Sequence, residues 1–430
     1  MKKTYHIITL GLITIFGAAQ LNAQCPGNRY HDVLFPAGPD STMNVVYGSN
    51  IRYNNSVDTL RLDVYQPSGD TDSLRALIIW AHGGSFVGGT RDQMANLCRD
   101  FSKMGYVTAT ISYRLFMTDL PFPGPDSNDA GAAVMRAVQD ARAAVRFFRK
   151  NARTGGNTYK IDTNHIYFGG ASAGGFMALH LAYMDEQSEF PNYIDTTGIT
   201  VGTKTGQKGL FGGIEGLSGS QGYSSKVNAI INLSGALSDT TWMHQGDTPV
   251  ISTHSVDDAT VPYGTKKIYL SGLYPIQVVN GSHTVAIKAN EVGIINCFRS
   301  YPGNDHVPEG GTPGVYDTSV VLIRDFLEHF TCNTPITCST NVGIKDLNIN
   351  EESITAYPNP SQNIITLNLK TLLGKNVNIT IYDALGRKVK EEAKINTPQY
   401  NLSRGNLPNG IYLINIVSEG KLFSKKIIFE

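Results

Sequence analysis

Between residues 60 and 330 short apolar runs alternate with stretches whose apolar positions recur at helical spacing. Leu60-Arg61-Leu62-Asp63-Val64 alternates in the manner of an early antiparallel strand. Ala76-Leu77-Ile78-Ile79-Trp80-Ala81 is continuously apolar, as expected of a strand covered on both faces. A helix is predicted over 91–104, a strand over 106–113, and a long helix over 129–149 with Val134, Val138, Ala141 and Val145 on one stripe. Ile166-Tyr167-Phe168 is the next strand, with a helix opening after Ser172. Strands follow at 227–233 and 248–254, a last one at 292–297, and a closing amphipathic helix at 319–330. Strands alternating with helices predict a mostly parallel sheet with helices on both faces. Ligands of such sheets bind at the carboxyl ends of the strands. Only 190–226 breaks the alternation, being rich in Gly, Ser and Thr. It reads as an insertion at the rim of that site.

The pattern changes after Cys338. A polar linker, 339–352, leads into a tail, 353–430, of short alternating strands at 364–369, 377–382, 411–416 and 423–429. Asp383-Ala384-Leu385-Gly386 and Pro408-Asn409-Gly410 supply turns, and a small β-sandwich is expected. At the other end, Lys2-Lys3, the apolar stretch 7–19 and Leu21-Asn22-Ala23 have the form of a cleavable export signal over 1–23. A permanent anchor is the alternative, and Cys25 raises a lipoprotein form that Gln24 fits poorly. The central segment, 24–338, is then the exported α/β domain.

Composition narrows the classes. The formal net charge of +0 gives no electrostatic case for nucleic acid or an anionic membrane. No apolar run after the signal is long enough to span a bilayer. Export makes disulfides possible for the five cysteines. Cys332 and Cys338 stand close enough for a small local loop, whereas Cys98 and Cys297 read as buried thiols. No Cys/His cluster has metal-ligand spacing, so neither a metal nor another cofactor is expected.

The chemistry concentrates at Gly169-Gly170-Ala171-Ser172-Ala173-Gly174-Gly175. A Gly-x-Ser-x-Gly turn from strand to helix lifts a serine hydroxyl into an open cleft. The serine needs a base, an acid and an oxyanion site, and in this order the acid and histidine follow it. His82-Gly83-Gly84-Ser85-Phe86 lies upstream, after the strand at 76–81. Downstream stand Asp257-Asp258 after the strand at 248–254, and Asp305-His306 after the last strand. At these residues, and over roughly 52–330, the chain resembles the α/β-hydrolase superfamily, specifically carboxylesterases with an HGG-type oxyanion loop. Ser85 departs mildly from the family's last glycine. Tyr113-Arg114-Leu115 resembles a family landmark with a structural role.

The resemblance implies an α/β-hydrolase fold, with Ser172 as nucleophile, His306 as base and Asp258 as the acid that orients it. His254 to Pro262 resembles the family's H-G-x-x-D-x-x-V-P pattern, which selects Asp258 over Asp257. His254 and His283 compete with His306, but the base should follow the last strand. Backbone N–H groups of Gly84, Ser85 and Ala173 would form the oxyanion hole. Phe86, Trp242 and Met243 are candidates for the substrate pocket. Tyr357-Pro358-Asn359-Pro360, Leu407-Pro408-Asn409-Gly410-Ile411-Tyr412 and the Lys425-Lys426-Ile427-Ile428 ending resemble a type IX secretion C-terminal sorting domain. That implies the type IX machinery as partner and a secreted or cell-surface location. The expected function is a secreted carboxylic-ester hydrolase acting on acetyl or feruloyl esters. A lipase or polyesterase with the same triad is one alternative. A non-catalytic binding protein with a carbohydrate-binding tail is another.

Overall fold

The computed structural model describes residues 25–115, 125–192, 194, 200–201, 204–205, 209–270, 274–336, 338, 354–372, 377–383, 387–418 and 421–430. The proposed export signal, the linker and the turn at 384–386 therefore lie outside the described residues. The chain divides into two compact units, Met1–Thr340 and Asn341–Glu430.

The first unit is an α/β-hydrolase fold. Its strands and helices run β1 (Pro39–Ile51), β2 (Val57–Pro67), β3 (Arg75–Ala81), α1 (Ala95–Lys103), β4 (Val107–Ile111), α2 (Ser127–Thr154), β5 (Ile161–Ala171) and α3 (Ala173–Tyr183). Then come the two-residue pair β6 (Thr200–Val201) and β7 (Lys204–Thr205), β8 (Ala229–Leu233), β9 (Ala236–Leu237), β10 (Val250–Ser255), β11 (Thr265–Leu270) and β12 (Tyr274–Gly281). The unit closes with α4 (Ser282–Val292), β13 (Asn296–Tyr301) and α5 (Val315–Cys332). One sheet has the order β1-β2-β4-β3-β5-β8-β10-β13. Its β1/β2 and β2/β4 pairs are antiparallel, and its later pairs are parallel.

Alternation along the central strands builds both faces at once. Leu77, Ile79, Ile166 and Phe168 pack into one cluster with Val138, Met177 and Val285 of α2, α3 and α4. Ile78, Trp80, Tyr167 and Ile231 face the other way, onto Leu97, Phe101, Ile323 and Phe326 of α1 and α5. The sheet is therefore buried on both sides, and strand β3 is buried at every residue. Helix α2 starts at Asp126, whose carboxylate accepts the N–H groups of Asn128 and Asp129 while Asp129 answers the N–H of Asp126.

Two expectations are corrected, those for the last strand and for the cysteines. Strand β1 was not foreseen, because most of its side chains are exposed and no apolar alternation marks it. The last strand is β13, not 292–297. Gly293, at φ 79°, ends helix α4 at Val292, so the apolar residues before Asn296 belong to a helix end and a turn. Within the insertion, residues 209–226 pack against α2 and β1. Arg142 and Arg146 bind Glu215, and the Ser49 N–H donates to Ser218 O. The disulfides are Cys25–Cys332 and Cys297–Cys338, so no local 332–338 loop forms and Cys297 is not a thiol. Cys332 ends α5 facing the chain start, and Cys338 lies against β13, which separation in sequence does not reveal. Cys98 is a buried thiol, pushed up by burial.

The second unit is all β. Strands β14 (Thr355–Tyr357), β15 (Ile364–Asn368) and β18 (Gln399–Ser403) form one antiparallel sheet. Strands β16 (Val377–Tyr382), β17 (Lys388–Ile395), β19 (Gly410–Ser418) and β20 (Lys421–Phe429) form the other, in the order β17-β16-β19-β20. Ile365, Leu367 and Leu402 from the first meet Ile379, Ile414 and Ile427 from the second in one core. This is the sandwich expected from the alternation.

Candidate active site

Ser172 sits between β5 and α3 at φ 54°, ψ −115°, a strained conformation for a residue bearing a side chain. The flanking glycines are required by contact. A Cβ on Gly170 would lie 2.4 Å from Gly174 C, and one on Gly174 would lie 2.1 Å from Ala81 O. The turn is pinned by the Ser172 N–H donating to Leu233 O at 2.8 Å. Its hydroxyl therefore points from a rigid seat.

His306 lies beyond β13, in the turn before α5, and its Nε2 is 2.7 Å from Ser172 Oγ. Its Nδ1 is 2.7 Å from Asp258 Oδ2. A carboxylate only accepts, so Nδ1 carries the proton and Nε2 of the neutral ring accepts from the serine hydroxyl. Asp258 follows β10, and its Oδ1 accepts the N–H groups of Thr260 and Val261 at 2.8 and 3.0 Å. Burial works against its charge, but hydrogen bonds from His254 and His306 outweigh that and hold the carboxyl well below its usual range. Asp257 is exposed, and its N–H donates to Gly303 O. Asp305 accepts Thr312 Oγ1 and stands apart.

The other two histidines fall elsewhere. His283 is in the first turn of α4, stacked on Tyr263 with ring centroids 4.8 Å apart. His254, in β10, is fully buried, and its Nε2 lies 3.2 Å from Asp258 Oδ2 and 3.1 Å from Val261 O. Facing two acceptors, Nε2 must carry the proton, so Nδ1 accepts from Ser282 Oγ at 2.7 Å. Asn232 Nδ2 donates to Ser282 Oγ in turn, at 2.9 Å.

The loop after β3 turns through three left-handed residues, Gly84, Ser85 and Phe86, at φ 117°, 53° and 60°. It lies against the serine, since a Cβ on Gly83 would be 3.2 Å from Ser172 Cβ. Tyr113 braces it by stacking on His82 at 4.4 Å and donating to His82 O at 2.9 Å. Burial pulls the His82 imidazole below its usual value, so it stays neutral near pH 7. Ala173 opens α3, where a first-turn N–H has no intrahelical acceptor. Arg114 is fully buried against Asp140 and also donates to Ile51 O and Gly209 O, which ties β1, α2 and the insertion together.

A small apolar cavity of about 70 Å³ opens beside Ser172. Ser85, Phe86, Ala173 and Phe176 form its near wall, and Val134 of α2 with Ile268, Ile276 and Val279 of the β11–β12 hairpin form its far wall. Of the three expected pocket residues only Phe86 lines it. Met243 is buried in the core, and Trp242 packs edge-on against His180 at 5.7 Å. The hairpin was missed altogether, although Lys266-Lys267-Ile268-Tyr269 and Pro275-Ile276-Gln277-Val278 flank the turn signal Ser271-Gly272.

Two family models match the chain. Residues 62–237 match BD-FAE, and residues 355–430 match the secretion system C-terminal sorting domain. The chain carries a BD-FAE domain and a type IX sorting domain. It is accordingly a secreted or cell-surface protein, and the sorting domain implies the type IX machinery as a partner. Among the described residues no helix is long and apolar enough to cross a membrane. No curated protein matches the sequence at a significant level. Solved structures similar to this chain include Thermogutta terrifontis esterase 2. Its apo form is 18% identical, with a TM-score of 0.46, over 68% of this chain and 94% of that one. The propionate-bound form is 18% identical, with a TM-score of 0.45, over 67% and 93%.

Proposed function

We propose that this BD-FAE protein is a carboxylic-ester hydrolase working through an acyl-enzyme on Ser172, His306 and Asp258. The observation that carries this reading is the unbroken hydrogen-bond chain from Ser172 Oγ through both ring nitrogens of His306 to Asp258 Oδ2. In the proposed reaction Ser172 Oγ attacks the ester carbonyl carbon as its proton passes to His306 Nε2. Asp258, held ionised, stabilises the resulting imidazolium. The oxyanion is received by N–H groups of Gly84, Ser85 and Ala173, any one of which is worth about 3 kcal/mol. His306 then protonates the departing alkoxide, and a water repeats the sequence to release the acid. Export fits a polymer-bound substrate, with acetyl or feruloyl esters of polysaccharide as the class to test first.

Ser172→Ala should lower turnover of a chromogenic acetate ester on the order of a millionfold, with the fold retained. A fluorophosphonate should add its phosphonyl group to Ser172 in the parent protein alone, read by mass spectrometry. Retention of more than about 1% of activity in the folded variant would sink the assignment, since a triad loss costs far more. A non-catalytic binding protein would leave the parent unlabelled.

A further inference from the structure

Ser172 and the oxyanion loop share the wall of the cavity, whereas His306 is not among its described lining residues. This asymmetry decides which half of an ester the cavity can hold. The leaving oxygen must take its proton from His306 Nε2, so the alcohol has to lie on the histidine side. With the carbonyl oxygen on the N–H groups, the remaining substituent, the acyl chain, is the one directed into the cavity.

The size of the cavity then selects among acyl groups. An apolar cavity of roughly 150 Å³ takes one benzene ring, and this one measures about 70 Å³. On that scale the cavity takes about half of a benzene ring, so only a few carbons fit beyond the carbonyl. The limit is built firmly. Phe86 and Phe176 meet edge to face at 6.3 Å on the near side. On the far side Ser127 Oγ, in the first turn of α2, donates to Ile276 O and ties the hairpin to that helix.

We propose that this cavity is the acyl pocket, that it admits aliphatic acyl groups of about two to four carbons and rejects aromatic ones, and that Ile276 and Val134 set its depth. The proposal rests on the esterase reading. It narrows the substrate to acetyl-like esters and removes feruloyl from the acyl side.

The test uses the full chain with p-nitrophenyl acetate, butyrate and octanoate, methyl ferulate, and acetates of ethanol and octanol. Acyl length should cost tenfold or more in kcat/KM between butyrate and octanoate, about what one or two misfit methylenes cost a pocket. Methyl ferulate should not be turned over, and the two alkyl acetates should differ far less. Ile276→Ala should raise the octanoate-to-acetate ratio roughly tenfold. Val134→Ala, on α2 and outside the hairpin, should do the same even if the hairpin variant misfolds. Efficient octanoate or ferulate turnover by the parent, discrimination by alcohol length alone, or an unchanged ratio in both folded variants would overturn the pocket. Failure to hydrolyse any ester and to react with fluorophosphonate would instead overturn the esterase reading beneath it.

Discussion

His306 and His254 approach the same oxygen of Asp258 from two sides, at 2.7 and 3.2 Å, and end in opposite surroundings. The His306 side chain is 23% exposed and passes its hydrogen bond outward to Ser172. The His254 side chain is 0% exposed and passes its own inward, to Ser282 and Asn232. One carboxylate thus serves a ring at the cleft and a ring in the core. The difference teaches that position, not residue type, decides which histidine can reach a substrate. The buried ring instead fixes the carboxylate on which the exposed one depends.

The sharpest way to break this comparison is to remove the shared acceptor. Asp258→Asn should cut turnover of an acetate ester roughly ten-thousandfold, because an amide in that place favours the wrong tautomer of His306. Asp257→Asn should leave turnover within about twofold, since surface changes away from such networks have small effects. Steady-state kinetics on both variants decide the matter. A weaker Asp257 variant would shift the acid by one residue.

A gentler change tests the inner ring. His254→Leu keeps apolar bulk but withdraws one donor from Asp258, and kcat should fall about tenfold with KM little changed, in line with the few kcal/mol such networks couple. A loss as deep as that of Asp258→Asn would make the two histidines equivalent. An unchanged kcat with a lowered melting temperature would leave His254 to packing alone.

The smallest expected effect concerns acid stability. The folded-state pKa of Asp258 is lowered from the ordinary 3.8, burial being outweighed by the hydrogen bonds from His254 and His306. A depressed carboxyl stabilises the fold above its unfolded value and loses that contribution as pH falls through the folded one. Denaturant unfolding from pH 6 to pH 2 should therefore show wild type losing its advantage over Asp258→Asn only below about pH 4. An advantage that persists unchanged to pH 2 would show that the carboxylate is not favoured by folding.

Much of the machinery could be read without coordinates because each part announces itself locally. Small residues around Ser172 permit one strained turn, and the clash distances at Gly170 and Gly174 show why that spacing is needed. The Asp258 loop was recognisable through its resemblance to the family's H-G-x-x-D-x-x-V-P pattern, and its side chain caps its own following N–H groups, a short-range device. That Trp242 and Met243 lie outside this cavity was not legible, for the converse reason. Nothing in a chain distinguishes an apolar residue facing a cavity from one facing the core. The hairpin wall was missed because Ile268 and Ile276 matter only through where α2 holds them. The disulfides failed on the same ground, since Cys25 and Cys332 are 307 residues apart in sequence yet 5.8 Å apart between Cα atoms.

Taken alone, the order of residues determined the α/β-hydrolase alternation, the sandwich tail and the strained turn at Ser172, all set by period, turn chemistry and short-range contact. Only the tertiary structure decided which cysteines pair, which segments wall the cavity, and how much room lies beside the serine. Each of those is a distance between segments far apart in the chain, and local pattern carries no information about such distances.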